Sequence, residues 1–125
     1  MFKPTILIVE DDKALLNIYS FIVENGGYRL LSANDAATAL ELLKHEAPQL
    51  IIEDLSLPDM NGLQLIHCIR QLPHCHNIPA IILSGCPGRI EAARLSSEHF
   101  VAFLHKPISA ENLLDVINKY IPHAA

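Results

Sequence analysis

Five short apolar runs, separated by stretches of helical periodicity, constrain the fold of this chain more than any other feature. The runs lie at residues 5–10, 29–33, 50–54, 80–84 and 101–104. Most are continuous rather than alternating, which is typical of parallel strands covered on both faces. Between them, apolar residues recur at helical spacing, as at Leu15, Ile18, Tyr19 and Ile22. This alternation predicts βαβ units with right-handed crossovers.

Residues that start and stop helices divide the chain at the same places. Glycines can close the first helix, a carboxylate can cap the second, and the third must end before a proline. The residues concerned are Gly26, Gly27, Asp35, Asn61, Gly62, Pro73, Ser109 and Glu111. Five strands and five helices fill the 125 residues. We therefore predict one α/β domain over residues 1–125, with a doubly wound parallel sheet in the order 2-1-3-4-5.

Composition excludes several functional classes. The 14 acidic and 9 basic residues give a net charge of -5, without a basic run, which argues against direct nucleic-acid binding. No apolar run approaches the roughly 18 residues of a membrane span, and the N-terminus lacks a signal peptide's apolar region. An odd count of three cysteines disfavours a secreted disulfide framework. We expect a cytoplasmic protein without membrane contact.

Acidic residues follow two of the predicted strands. Glu10, Asp11 and Asp12 come directly after the first, and Asp54 ends the third. In the predicted strand order these two strands are neighbours, at the point where the winding direction reverses, so their carboxyl ends meet at one crevice. Carboxylates are tolerated together when a divalent cation neutralises them or when one acts as a base or nucleophile. The sequence therefore predicts phosphate or metal chemistry at this edge.

The motifs around these residues identify a family resemblance. Residues 6–12 read ILIVEDD, residues 54–62 read DLSLPDMNG and residues 79–84 read PAIILS, with Lys106 and Pro107 further on. In this order and at this spacing, the chain resembles the receiver domain of two-component response regulators over essentially its whole length. The resemblance implies a flavodoxin-like (βα)5 fold. It also implies a signalling switch rather than an enzyme, beyond slow self-dephosphorylation.

The resemblance assigns the chemistry to particular residues. It implies that Asp54 accepts a phosphoryl group from the phosphohistidine of a sensor histidine kinase or a histidine phosphotransfer protein. It places Mg²⁺, for which Mn²⁺ can substitute, on Asp11, Asp54 and the backbone carbonyl of Ser56, with Glu10 holding the ion mainly through water. Mg²⁺ suits such a site because it prefers oxygen ligands and keeps several waters.

Three further residues carry the implied switch. Lys106 contacts the phosphoryl group, and its bond to Pro107 is often cis in the family. The Ser84 hydroxyl binds a phosphoryl oxygen, and Phe103 then moves inward; without a phenol it couples by packing alone. The fourth helix, fifth strand and fifth helix would form the surface for a downstream protein or output domain, and for a possible homodimer. In the family, the side chains two residues beyond the phosphoacceptor and two beyond the hydroxyl residue tune hydrolysis, and the matching residues here are Ser56 and Cys86. Neither carries a charge that could orient an attacking water, so the resemblance implies a moderate to long phosphoryl lifetime.

Other functions fit the residues less well. A small phosphatase of the haloacid dehalogenase type would need a second aspartate two residues after Asp54, where Ser56 stands. A flavin-phosphate binder would meet repulsion from the acidic residues after the first strand. A receiver that works without phosphorylation stays open. A zinc site at His67, Cys68 and residues 74–76 is disfavoured because paired-ligand spacing is missing.

Overall fold

The protein folds as an alternating sequence of strands and helices. The computed structural model describes residues 3–96 and 99–121. The elements are β1 (Thr5–Val9), α1 (Lys13–Asn25), β2 (Arg29–Ala33), α2 (Ala36–Leu43), β3 (Leu50–Asp54), α3 (Gly62–Arg70), a 3-10 turn (Pro73–Cys75), β4 (Ala80–Ser84), α4 (Pro87–Ser96), β5 (Phe100–His105) and α5 (Ala110–Tyr120).

All strand pairs of the five-stranded sheet are parallel, in the order β2-β1-β3-β4-β5, which confirms the predicted topology. β5 is longer by one residue at each end than the predicted run of 101–104. β1 ends at Val9 rather than residue 10, although the Glu10 N–H still donates to the Ala33 carbonyl at 3.0 Å. The backbone of Glu10 thus continues β1, while its side chain lies at the carboxyl edge of the sheet.

Two apolar layers cover the sheet, as the continuous apolar strands predict. On one face, α2, α3 and α4 pack over a cluster that includes Leu7, Ile51 and Ile82. On the other face, α1 and α5 pack over Ile8 and Ile52. Because β1, β3 and β4 are buried on both sides, their carboxyl ends are held rigidly where they reach the surface.

The predicted helix boundaries are confirmed by caps. Asp35 accepts a hydrogen bond from the Thr38 N–H at 2.7 Å, and Ser109 accepts one from Asn112 at 3.1 Å. Asn61 caps α3 and forms a capping box with Gln64. The chain leaves α1 through Gly27, whose φ of 93° favours glycine over other residues. These caps fix where each loop at the carboxyl edge begins and ends.

The predicted domain boundaries, 1–125, include positions outside the described residues, namely 1–2, 97–98 and 122–125. The single-domain assignment over the whole chain therefore stays a prediction. None of the helices in the described ranges has the length and apolar character that crossing a bilayer requires.

Candidate functional site

The two acidic signals meet at the carboxyl edge of the sheet. Glu10 follows β1, Asp54 ends β3, and each of Glu10, Asp11 and Asp54 has a carboxylate oxygen within 4.8 Å of the others. Glu10 is fully buried and Asp54 is 4% exposed, whereas Asp11 is exposed. The strand order brings these side chains together because β1 and β3 are adjacent. A crevice of this kind concentrates negative charge away from bulk water.

Lys106 supplies the opposite charge from the other side of the crevice. Its Nζ lies 2.6 Å from Glu10 Oε1 and 3.1 Å from Asp54 Oδ2. The Lys106 backbone N–H donates to the Ser84 carbonyl at 2.7 Å, and the Lys106–Pro107 bond is cis. Burial disfavours the ammonium, but the hydrogen bond to Glu10 and the charge of Asp54 outweigh it and raise the pKa of Lys106. The lysine therefore stays charged.

Glu10 has a raised pKa. Burial raises its pKa to about 7; the hydrogen bond from Lys106 opposes this rise, and Asp54 adds to it. The Asp12 N–H also donates to Glu10 Oε2 at 3.2 Å, while the Asp12 side chain caps α1 by accepting from Leu15. At neutral pH a proton occupies Glu10 for much of the time, so a cation that binds this carboxylate must displace it.

The three carboxylates fit a hard divalent cation. They offer only oxygen ligands, one of them exposed and able to face a hydrated ion. Mg²⁺ binds one or two protein carboxylates and keeps much of its water, and sites with softer metals use His and Cys instead. No His or Cys joins this cluster, and it is the one such group of three or more ligands that the described residues form. The residues after β1 and β3 therefore suit Mg²⁺ or Mn²⁺.

Ser84, at the end of β4, turns its hydroxyl towards its own loop. Its Oγ accepts from the Cys86 N–H at 3.1 Å and lies 3.5 Å from the Cys86 carbonyl. The residue is 3% exposed. For a group bound at Asp54 to gain the Ser84 hydroxyl as a donor, the O–H must turn away from the Cys86 carbonyl. The serine thus ends the strand next to β3, and its hydroxyl is hydrogen-bonded within its own loop.

Phe103 lies on β5, half-buried beside α4. Its ring meets Phe100 edge-on, with centroids 5.8 Å apart, and the Arg94 guanidinium lies 4.8 Å from its centroid. The aromatic contact and the cation–π contact hold the ring at the junction of α4 and β5. Phe103 therefore has partners whose geometry would change if it moved inward.

Sequence reasoning missed a contact between the crevice and α4. The Ser56 N–H donates to Asp54 Oδ1 at 3.2 Å, and the Ser56 hydroxyl accepts a hydrogen bond from Arg89, in the first turn of α4. Arg89 lies 33 positions from Ser56 along the chain, so no local motif announces the pair.

Asp59 is a second missed residue. Its carboxylate accepts from the backbone N–H groups of Ala36 and Ala37 at 3.0 and 2.9 Å. These hydrogen bonds lower the pKa of Asp59, the Ala36 bond most. The loop after β3, which carries Ser56, is in this way anchored to the start of α2. The sequence feature that could have indicated this contact is an acidic residue in a loop, which can accept hydrogen bonds from the N–H groups at a helix start.

Glu53 is a third missed residue, and it lies outside the crevice. It is fully buried between Val9 of β1 and Ile82 of β4, and neither carboxylate oxygen has a hydrogen-bond partner among the described residues. Burial raises its pKa well above the ordinary value of 4.5, with a smaller opposing effect from Arg70. Strand alternation turns it towards α2 and α3, away from Asp54. Burial within the apolar core therefore favours the neutral form of this acid.

Comparisons with known proteins agree with this geometry. The family profile of the response regulator receiver domain matches residues 6–118. The polar-differentiation response regulator DivK of Brucella anthropi is 25% identical over 120 residues, 96% of this chain and 98% of its own. A CheY-like receiver domain protein from Methanospirillum hungatei is 28% identical, with a TM-score of 0.85 over 94% of this chain and 93% of that one.

A further solved structure has the same fold. The receiver domain of a Pseudomonas aeruginosa sensor histidine kinase, solved with a magnesium ion coordinated in its active site cleft, has a TM-score of 0.86. It is 22% identical and covers 98% of this chain and 100% of that one. At that identity the likeness concerns the fold alone.

Proposed function

This chain belongs to the response regulator receiver domain family of two-component signalling, and on that premise we propose that it is a phosphoacceptor switch in which Asp54 carries the phosphoryl group. One observation supports this most: three carboxylates and one ammonium converge at the ends of β1 and β3 and after β5. Lys106 and the Ser56 N–H hold the two Asp54 oxygens. Glu10 has the same kinds of partner in Lys106 and the Asp12 N–H, but it is fully buried, whereas Asp54 reaches the surface.

The reaction needs alignment and charge neutralisation more than a strong nucleophile, because phosphoryl transfer has a loose transition state. An Asp54 oxygen forms a bond to phosphorus as the bond from phosphorus to the donor's histidine nitrogen breaks. The imidazole leaves with the electron pair. Mg²⁺ bound by Asp11, Asp54 and the Ser56 carbonyl, with Glu10 behind it, would neutralise charge on the transferred group.

The chain's own residues complete the site. Lys106 stays charged next to Asp54 and donates to a phosphoryl oxygen. Ser84 leaves the Cys86 N–H and donates its hydroxyl to another oxygen, because an anionic acceptor makes a stronger hydrogen bond than a neutral partner. Phe103 follows Ser84 inward, at the expense of its contact with Arg94. Phosphorylation thereby biases two arrangements of α4, β5 and α5.

The partners follow from the family. Receiver domains interact with histidine kinases or phosphotransfer proteins and with downstream partners. For this chain we assign the downstream contact to the α4-β5-α5 surface, where Leu95 is 81% and Val101 42% exposed. A downstream protein, an output domain or a second copy of the chain would cover these apolar side chains.

The experiment is treatment with acetyl phosphate, with and without Mg²⁺, read by intact mass. We expect wild type to gain one phosphoryl group only with the metal, and Asp54→Asn to gain none. Asp35→Asn is the matched control, because it makes the same change at a cap on the same edge of the sheet and should label like wild type.

Three results would contradict the proposal. Equal labelling of Asp54→Asn would reject Asp54 as the acceptor. Rapid release of phosphate without labelled protein would favour a small phosphatase. Absence of labelling in wild type would favour a receiver that works without phosphorylation.

A further inference from the structure

Phosphorylation of Asp54 would add negative charge to a site whose nearest cation is already shared. Lys106 contacts both Glu10 and Asp54. One divalent ion and one ammonium roughly balance three carboxylates, and a phosphoryl group brings about one further negative charge. Because Glu10 and Asp54 are buried, water screens this excess poorly. A further cation at the edge of the crevice would stabilise the phosphorylated state.

Arg89 is a cation that hydrogen bonds already connect to the crevice through Ser56. Its guanidinium donates to the Ser56 hydroxyl, and the Ser56 N–H donates to Asp54 Oδ1. No carboxylate of the described residues lies within ion-pairing distance of Arg89, in contrast to Arg94 on the same helix, which pairs with Glu91. Arg89 is therefore not committed to a competing anion.

The chemistry of the guanidinium favours exchange of partners. It has five N–H donors in a planar fork, so donors remain after one binds Ser56. Hydrogen bonds from a guanidinium to an anionic oxygen are roughly twice as strong as those between neutral groups. Because the Ser56 N–H contacts Asp54 Oδ1, a phosphoryl group on that oxygen would place new anionic oxygens near Ser56. Moving from the serine hydroxyl to these oxygens would strengthen the contact.

The start of α4 has room to follow. A cleft of about 130 Å³ separates the start of α3 from α4, lined by Leu55, Leu63, Ala92 and Ala93 with Asn61 and Arg89. Besides Arg89, the side chains that α4 contributes to this cleft are two alanines. The cleft therefore leaves space beside α4 for a small displacement of the helix.

We propose that Arg89 exchanges the Ser56 hydroxyl for a phosphoryl oxygen when Asp54 is phosphorylated, and so ties the start of α4 to the modified site. This inference rests on the proposed function of Asp54. It gives α4 a direct electrostatic link to the phosphoryl group, separate from the movement of Ser84 and Phe103.

Beryllofluoride, an anion that mimics a phosphoryl group on a carboxylate, tests the proposal at equilibrium. Its affinity in the presence of Mg²⁺ would be measured by calorimetry for wild type, Arg89→Gln and Arg89→Lys. We expect about tenfold weaker binding for Arg89→Gln and about threefold for Arg89→Lys, because lysine keeps the charge but not the fork. Lys44→Gln, the same loss of charge at the end of α2, should match wild type within about twofold.

Two further readouts separate a phosphoryl contact from a merely structural role. The affinity for Mg²⁺ alone should be equal in wild type and Arg89→Gln within about twofold. Hydrogen exchange in the first two turns of α4 should slow on adding beryllofluoride to wild type, and slow less in Arg89→Gln. A structural role would change exchange equally with and without the anion.

The outcomes distinguish a failure of the role proposed for Arg89 from a failure of the function proposed for Asp54. If wild type binds beryllofluoride and Arg89→Gln binds it equally well, Arg89 has no such role while Asp54 keeps its own. If wild type does not bind it, the proposed function fails and this inference fails with it. A tenfold loss in Lys44→Gln as well would reduce the effect to net charge and would also overturn the proposal.

Discussion

Glu53→Met should stabilise the protein, because it replaces a buried acid without partners by an apolar side chain of similar length. The Glu53 carboxylate oxygens have no hydrogen-bond partner among the described residues, and the residue is fully buried. Leaving a polar group unpaired in a protein core costs about 1–3 kcal/mol by mutational data. We therefore expect a gain of about 2 kcal/mol at pH 5, or about 8 °C in melting temperature for a chain of this size.

The gain should grow with pH. In the unfolded chain Glu53 ionises above its ordinary pKa of 4.5, whereas burial keeps it protonated in the folded protein. This ionisation therefore has no effect on stability below pH 4.5, and stability is lost as the pH rises from there towards the raised folded pKa of Glu53. The loss amounts to about 1.4 kcal/mol for each pH unit in that window. Methionine removes this loss, so the difference between the variant and wild type should be larger at pH 7 than at pH 5.

Urea denaturation at pH 5, 6 and 7 would measure this difference, with Glu53→Gln as the control. Glutamine keeps a buried polar group but cannot ionise, so its difference from wild type should grow with pH as that of methionine does, but from a smaller gain at pH 5. A methionine variant that is less stable than wild type at pH 5 would refute the conclusion that the Glu53 carboxyl lacks hydrogen-bond partners. A difference that is the same at pH 5 and 7 would refute the raised pKa.

Two other predictions concern the close packing around Gly62 and the competition between Mg²⁺ and the proton on Glu10. Gly62→Ala should cost about 1–3 kcal/mol of stability in urea denaturation, because its Cβ would lie 2.8 Å from the Asp54 carbonyl oxygen and 2.7 Å from the end of Ile82. The matched change Gly88→Ala meets no atom within 4 Å and should be neutral or stabilise by about 0.5 kcal/mol; equal effects at both glycines would contradict the steric argument. The affinity for Mg²⁺, measured by calorimetry, should rise about tenfold from pH 6 to pH 8, because the pKa of Glu10 is about 7 and the ion competes with its proton. Glu10→Gln should flatten this dependence, and a wild-type affinity that is constant over the range would rule out the competition.

The sequence predicted the features that local rules control. Strand order followed from apolar runs and right-handed crossovers, and the caps at Asp35, Asn61 and Ser109 followed from residue type and position. The convergence of Glu10, Asp11 and Asp54 followed from the topology, since strands adjacent in a parallel sheet bring their carboxyl ends together.

The sequence did not predict contacts that depend on side-chain direction across helices. Arg89 meets Ser56 only because α4 begins beside the loop after β3, and no spacing rule encodes that distance. Glu53 was partly readable: alternation along β3 puts it on the same covered face as Ile51. The prediction for residues 50–54 assigned a role only to Asp54, at the end of the strand. It gave no role to the buried acid one position earlier.

The long sequence separations in the crevice connect signalling to the thermodynamics of folding. Lys106 meets Glu10 across 96 positions and Asp54 across 52. An unfolded chain cannot hold these groups together, so any ion or phosphoryl mimic that prefers the assembled crevice shifts the equilibrium towards the native state by mass action. Each such ligand would act as a thermal protectant, and a melting curve would serve as a binding assay for a receiver that contains no tryptophan.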